Sequence, residues 1–425
     1  MKTVLMFDRN TWIKQVGHRD PLIASLKKNY NVIDAAKQNP NAPKGIYSNL
    51  ATQQDPVKCK LYQSAISRLA GQHYSRLPYV KFNNFYLQVQ KEICYLTWVL
   101  DHLMTKGKID AIVTEGNHQV AYYACLAAKE KYDIPVIGIE NSFCGGKIYM
   151  DIHGGVGNEM QEMQELWDKF SPYHIDENAI SSMNTNKGQV PRSFRNHVKK
   201  NNDGLDYIHK HEHMRAFSKY ILVCGQVDND SVVCRDISPL KNIDEFFSLI
   251  LQATKDMNDV GIIFRIHPWD QHVTGNLTAK ILETITEEDK KRILVIKNKD
   301  YYTYNLLPHV DSIVTMTSQI GLEAASLKGI PVVTVGNAFY NTGNFTLNVD
   351  LEGENKENHV EKLKEKINES LVMDKQVMFD KAKCFASFLF NEYMVNVKDE
   401  KAIKSKIEAS IQAMAKQGKH MSFLE

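Results

Sequence analysis

Asp110-Ala-Ile-Val-Thr114, followed by residues 119–131 and then Ile134-Pro-Val-Ile-Gly-Ile139, is the stretch that decides the fold. The outer pieces are short apolar runs and the middle piece is an Ala-rich segment with helical spacing of its apolar residues, so the order reads strand, helix, strand. Two strands joined by a helix form a βαβ unit. The rhythm returns downstream, with strands expected over 220–224, 261–266, 293–296, 312–315 and 331–335 and helices near 243–257 and 321–327. Near-continuous Val and Ile runs of this kind mark parallel strands covered on both faces. Residues 4–7 read as an opening strand.

Between the two regions, residues 181–215 are rich in Asn, Lys, Arg and His and poor in apolar residues, which suits a linker. The expected organisation is an N-terminal α/β domain over 1–180, that linker, a second α/β domain over 216–375, and helices over 376–425 that pack back on the first domain. In the tail, Val360, Leu363, Ile367 and Leu371 repeat at helical spacing, followed by a Phe-rich patch and a Lys/Glu-rich final helix. The fold class is therefore α/β, with two doubly wound, Rossmann-like domains, a cleft between them, and a helical C-terminal tail. In such sheets, ligands bind outside the carboxyl ends of the strands.

The chain has 425 residues, room for two ordinary domains. Fifty-two Lys plus Arg against fifty Asp plus Glu leave a formal charge of +2, too balanced for a dedicated nucleic-acid binder. No apolar run approaches the roughly twenty residues of a membrane span, and the start lacks a signal-peptide pattern, so a cytoplasmic protein is expected. The seven cysteines are scattered and never spaced C-x-x-C, which argues against a disulfide framework and a zinc cage. His209-Lys-His211-Glu-His213 alternates histidines, but a solvated loop is the simpler reading and no metal is expected. Neither G-x-G-x-x-G after a strand nor a P-loop occurs, which disfavours a dehydrogenase or a P-loop kinase.

Four groups of residues stand at expected strand ends. Gly225-Gln226-Val-Asp228-Asn-Asp230 follows the strand over 220–224; its two acids are read equally well as an Asx turn or cap and as catalytic groups. Arg265-Ile-His267-Pro268 ends the next strand with a cation and an imidazole, which suits a phosphate, or else is a polar strand terminus. Thr315-Met-Thr317-Ser318-Gln319-Ile-Gly321-Leu-Glu323 runs from a strand into a helix N-terminus. Its free N–H groups attract phosphate, hydroxyls add donors and Gly321 allows close approach; a capping box is the structural alternative. Glu140-Asn-Ser-Phe-Cys-Gly145-Gly146 follows the strand over 134–139, so Glu140 is read as a carboxylate facing the cleft or as a loop acid, and Gly145, Gly146, Gly154, Gly155 and Gly157 indicate tight backbone approach or a mobile loop.

In this order the motifs resemble the capsule polysaccharide biosynthesis family, in particular retaining β-Kdo transferases, where Kdo is 3-deoxy-D-manno-oct-2-ulosonic acid. The resemblance is carried by Glu140-Asn-Ser-Phe with Asp151 and Gly155, by Gly225 to Ser231, by Arg265 to Pro268, by Thr317-Ser-Gln-Ile-Gly-Leu-Glu323-Ala, and by Pro331-Val-Val-Thr-Val-Gly336 with Phe339, Tyr340 and Thr346. It runs from about 110 to 346. It implies a GT-B-like glycosyltransferase of capsule or surface polysaccharide synthesis. The donor is a CMP-activated ulosonic acid, the acceptor is a glycan or glycolipid, and no metal or other cofactor is needed. Carried over residue by residue, Asp230 is the nucleophile and Glu140 the base toward the acceptor hydroxyl, while Asp228 occupies a position usually held by Glu. The donor side is assigned to Gln226, Arg265, His267, Pro268, Thr317, Ser318, Gln319, Gly321 and Glu323, with His267, Thr317 and Ser318 on the phosphate and Glu323 on the ribose.

Two departures concern the sugar. The turn between Glu323 and Gly329 is one residue longer than the family spacing, and Tyr340-Asn-Thr-Gly-Asn-Phe-Thr346 lacks the aromatic and glycine pattern of the Kdo modules. The competing readings are another GT-B-type transferase or an epimerase acting on a different nucleotide-sugar, and a non-catalytic scaffold of capsule assembly. The resemblance also implies membrane-associated assembly proteins as partners, and a peripheral place on the inner face of a bacterial inner membrane.

Overall fold

The computed structural model describes residues 1–7, 17–35, 98–115, 119–157, 160–184, 204–226, 240, 243–267, 285–296, 303–351 and 356–421. The chain divides into two units, Met1–Lys169 together with Glu392–Glu425, and Phe170–Asn391.

The first unit is built on strands β1 (Thr3–Phe7), β2 (Asn31–Asp34), β3 (Ala111–Glu115), β4 (Val136–Asn141) and β5 (Lys147–Asp151), with the short strand β12 (Val395–Asn396) from the end of the chain. Their order is β2-β1-β3-β4-β5-β12; the first four are parallel, and β5 and β12 add antiparallel. Alternate residues of the strands, Val4, Met6, Ala111, Val113, Ile137 and Ile139, form one core with Leu22, Ile23 and Leu26 of α1 (Arg19–Lys27) and Ile403 and Ile407 of α9 (Glu400–Met421). The period of two along the strands and of three to four along the helices puts these residues on facing surfaces. The βαβ stretch read from sequence is β3, α2 (Gln119–Tyr132) and β4. A further helix, α3 (Gln161–Phe170), follows β5.

In the second unit, α4 (Glu177–Asn184) precedes β6 (Lys219–Cys224), α5 (Ile243–Ala253), β7 (Val260–Arg265), β8 (Ile293–Ile296) and β9 (Ser312–Thr315). These are followed by α6 (Ile320–Lys328), β10 (Val332–Thr334), β11 (Thr346–Asn348), α7 (Lys356–Val372) and α8 (Lys375–Phe388). All its strands pair in parallel, in the order β8-β7-β6-β9-β10-β11. Ile221, Val223, Ile262, Phe264, Val314 and Val333 share a core with α5 and α7. Helix α6 lies on the opposite face, where Gly321 comes against Val332. This is the doubly wound arrangement, with its switch point between β6 and β9, where the order reverses and neighbouring chains leave toward opposite faces.

The division falls elsewhere than the boundary read from composition at 181–215. Residues 170–184 already belong to the second unit: Tyr173 packs edge-on against Phe388, the Asp176 N–H donates to Ser387 Oγ at 3.0 Å, and Lys383 pairs with Glu177. The polar segment after 203 is also structured, as Gly204–His209 and Glu212–Ala216, with Ile208 and Met214 buried. Two of its histidines face different partners, His209 the Tyr220 hydroxyl and His213 the Ile293 carbonyl, and so serve as local hydrogen-bonding groups, while His211 lies edge-on to His213. Polar composition misled here because a few buried apolar residues suffice to seat a short helix. Nor does the tail after 376 act as one piece: α8 packs on α4 and α6 in the second unit, and the chain rejoins the first unit from Glu392. No helix among the described residues is long and apolar enough to cross a membrane.

Candidate active site

At the switch point of the second unit, the last main-chain pairing between β6 and β9 is Cys224 opposite Thr315. Gly225 extends β6 toward its other neighbour, donating its N–H to the Arg265 carbonyl at 2.9 Å, where a Cβ would stand only 3.2 Å from that oxygen. Gln226 follows, buried, and turns to β9: its Nε2 donates to Thr317 Oγ1 at 2.9 Å and its Oε1 accepts from the Thr317 N–H at 2.8 Å. His267 emerges beside Gly225 from the end of β7, its N 3.6 Å from where that Cβ would be.

The turn from β9 into α6 carries most of the expected donor-binding residues. The Ser318 N–H faces Thr315 Oγ1 at 3.4 Å, and the Ser318 carbonyl accepts from the Gly321 N–H at 3.0 Å and the Tyr340 hydroxyl at 2.8 Å. Gln319 Nε2 donates to Glu323 Oε1 at 3.1 Å. Burial pushes the Glu323 carboxyl up to about 8, so it is mostly protonated at neutral pH. A helix start at a switch point offers unpaired N–H groups and the positive end of the helix dipole, an arrangement suited to an anion.

Two expected donor ligands have other work in this geometry. The Arg265 guanidinium reaches along the sheet, Nε to Thr303 Oγ1 at 3.0 Å and Nη1 to the Ile296 carbonyl at 3.2 Å, and so holds the neighbouring β8 end. The space above Gly321 is filled by Tyr340, whose hydroxyl would lie 2.5 Å from an added Cβ. Here glycine admits an aromatic side chain, not a phosphate. The segment around Tyr340 that departs from the Kdo pattern is a packing device: Asn341 accepts from Thr334 and Thr346 hydroxyls at 3.0 and 2.8 Å, tying β10 to β11. Asp228, Asp230 and Pro268 lie outside the described residues.

In the first unit, Glu140 occupies the end of β4, and its Oε2 accepts from the Gly157 N–H at 2.9 Å. The glycine-rich loop supplying that N–H is pressed tightly against β4. A Cβ on Gly138 would lie 2.3 Å from the Gly155 carbonyl, and Tyr122 donates to the Gly154 carbonyl at 2.8 Å. At Gly154 and Gly155, close backbone approach is the reading realised. Asp151 anchors the loop from below, accepting from the N–H groups of His153, Gly155 and Glu162 and from the Tyr393 hydroxyl. Burial raises its pKa, opposed by these bonds.

Sequence reasoning missed His18 and Glu115. His18, buried at the start of α1, receives the Gly146 N–H at Nε2 (3.1 Å) and faces Asn141 Oδ1 with Nδ1 (3.3 Å), closing both ends of the turn that follows Glu140. Burial lowers its pKa, consistent with a neutral ring protonated on Nδ1. Nothing in its local sequence signals this role. Glu115 is buried at the end of β3, one threonine after the apolar run 111–113, a weaker form of the signal that drew attention to Glu140.

Among solved structures, the chain is similar to KpsC of Thermosulfurimonas dismutans, a β-Kdo 2,4 transferase, at 14% identity and a TM-score of 0.42, over 95% of this chain and 97% of that one. It is similar to a glycosyltransferase from Rickettsia africae at 10% identity and a TM-score of 0.42, over 96% and 98%. It is also similar to a UDP-GlcNAc 2-epimerase from Neisseria meningitidis at 14% identity and a TM-score of 0.34, over 96% and 100%. A search of curated protein sequences finds no match to the chain. The family model for capsule polysaccharide biosynthesis proteins matches residues 159–379, more than half of the 425. The chain belongs to the capsule polysaccharide biosynthesis protein family.

Proposed function

We propose that this protein is a retaining glycosyltransferase that transfers Kdo or a related ulosonic acid from its CMP-activated form to a glycan or glycolipid acceptor, without a metal. The observation that carries the reading is the switch point of the second unit, where Gln226, His267 and the Thr317-Ser318 turn at the start of α6 stand at adjacent strand ends. His267 and this turn hold the donor phosphate, and Glu323 meets the ribose. Asp230, four residues after Gln226, attacks the anomeric carbon as CMP leaves, forming a glycosyl ester. Glu140 then takes the proton of the acceptor hydroxyl, whose oxygen displaces Asp230 and restores the starting anomeric configuration. The Asp230 and Glu140 roles rest on the motif resemblance. Family membership supports a place in capsule synthesis; the place at the inner face of the bacterial inner membrane, with membrane-associated assembly proteins, rests on the motif resemblance.

The experiment is incubation with a panel of CMP- and UDP-sugars in the presence of EDTA, following nucleotide release and product. Turnover of a CMP-ulosonate in chelator is expected. Turnover of a UDP-sugar alone, or activity that returns only with a divalent ion, sinks the donor assignment.

A further inference from the structure

We propose that Gln226 is a positioning residue that sets the spacing of the switch-point crevice by tying the end of β6 to the turn after β9. The proposal rests on the nucleotide-sugar reading above. At a switch point the two central strands send their chains to opposite faces, so main-chain pairing stops and the gap has no ladder of its own. Here pairing ends at Cys224 and Thr315. Two residues further along each chain, the Gln226 carboxamide takes over as a side-chain rung.

The rung engages most of the polar groups of these two side chains. Oε1 accepts the Thr317 N–H at 2.8 Å and lies 3.3 Å from Thr317 Oγ1, while Nε2 donates to that same Oγ1 at 2.9 Å. The Thr317 N–H fixes which end of the carboxamide is oxygen. Both residues are buried, Gln226 with 6% and Thr317 with 7% of its surface exposed. With its oxygen accepting twice and one of its two amide N–H groups engaged, Gln226 keeps a single N–H beyond the rung, and the Thr317 hydroxyl is occupied as well.

The Ser318 carbonyl is held by the Gly321 N–H and by Tyr340. The turn is thus clamped from two sides, by Gln226 through Thr317 and by Tyr340 through the Ser318 carbonyl. Asp228 and Asp230 follow Gln226 by two and four residues in sequence. Loss of the rung therefore removes the side-chain tie between the ends of β6 and β9, while Tyr340 still holds the Ser318 carbonyl.

The test uses the full chain carrying Gln226→Met, Gln226→Glu, Thr317→Val, and Gln226→Met with Thr317→Val. Hydrogen exchange without ligand reads the Thr317 amide; CMP titration and CMP-Kdo turnover read function. Gln226→Met should speed exchange at least tenfold and lower kcat by roughly 10- to 100-fold, since small misplacement of reacting groups is costly. Its CMP affinity should stay within about threefold. Gln226→Glu keeps an acceptor for the amide and should retain protection. The double variant should be no worse than Gln226→Met. Unchanged exchange in Gln226→Met overturns the rung. Multiplying losses in the double variant, with CMP affinity falling in step with kcat, make Gln226 a donor ligand instead. A wild type that binds no CMP overturns the donor reading, while exchange separately decides the rung.

Discussion

The hydroxyl of Tyr340 rests on Gly321 at the start of α6, close enough that a Cβ there would be 2.5 Å away, and it donates to the Ser318 carbonyl at 2.8 Å. One aromatic residue from the loop after β10 thereby fixes the turn that ends β9. Gly321→Ala should destabilise the second unit by about 1–3 kcal/mol, the usual cost of overpacking a filled site. Tyr340→Phe combined with Gly321→Ala should recover part of that loss, because the nearest atom is the hydroxyl. Urea unfolding of wild type, Gly321→Ala and the double variant checks this; equal stability of Gly321→Ala and wild type contradicts the packing.

Buried Glu323 makes stability depend on pH in a definite direction. Its carboxyl is raised from 4.5 to about 8, so between these values the folded state keeps a proton that the unfolded state has released. Stability from this group is fully present below about 4.5 and is lost as pH rises toward 8. Glu323→Gln, neutral at every pH, should remove that fall. Thermal melts between pH 5 and pH 9 decide it, and parallel curves for variant and wild type contradict it.

His18 has the opposite sign. Its folded pKa is depressed below 6.5 by burial, and the Gly146 N–H needs the Nε2 lone pair. The stabilisation is present above 6.5 and declines as pH falls toward the lower folded value. His18→Ala should cost about 1–3 kcal/mol at pH 8, where a buried N–H loses its acceptor, and less at pH 5. Denaturant midpoints at the two pH values test the narrowing of the gap.

Residues from the chain's end complete the first unit through Lys406, which bonds Glu162 Oε1 at 2.6 Å and lies over the Tyr393 ring. Desolvation already raises the Glu162 pKa, with Lys406 opposing it. Lys406→Met should cost about 3–5 kcal/mol by leaving a buried acid without its cation, and adding Glu162→Gln should return most of it. Unfolding free energies of the single and double variants measure this; a Lys406→Met loss under 1 kcal/mol contradicts it.

The parallel strands were legible because burial on both faces writes them as apolar runs: β8 and β9 fall at the residues expected, and β3, β4, β6 and β7 within two. Strands with less apolar signatures were not. In β2, Asn31-Val-Ile-Asp34 is an edge strand with an exposed first residue, and β12 has two residues and gains its meaning only from distant β5. At the site, local sequence placed Gln226, Thr317 and Ser318 at strand ends. It could not show that Gln226 bonds Thr317 across 91 residues, that Tyr340 fills the space at Gly321, or that His18 closes the turn after Glu140. Those relations are set by tertiary packing, which a single sequence does not display.

The central claim is that Asp230 attacks the donor sugar while Glu140 serves the acceptor. Glu140→Gln retains an oxygen that can accept the Gly157 N–H, so the loop stays in place while the base is lost. Intact-protein mass spectrometry of Glu140→Gln incubated with CMP-Kdo and acceptor tests the claim most directly. The account predicts one added ulosonyl unit, localised by digestion to the peptide containing Asp230, with turnover reduced by roughly 10²- to 10⁴-fold. An adduct on Asp228, or full transferase activity in Asp230→Asn measured alongside, would contradict it.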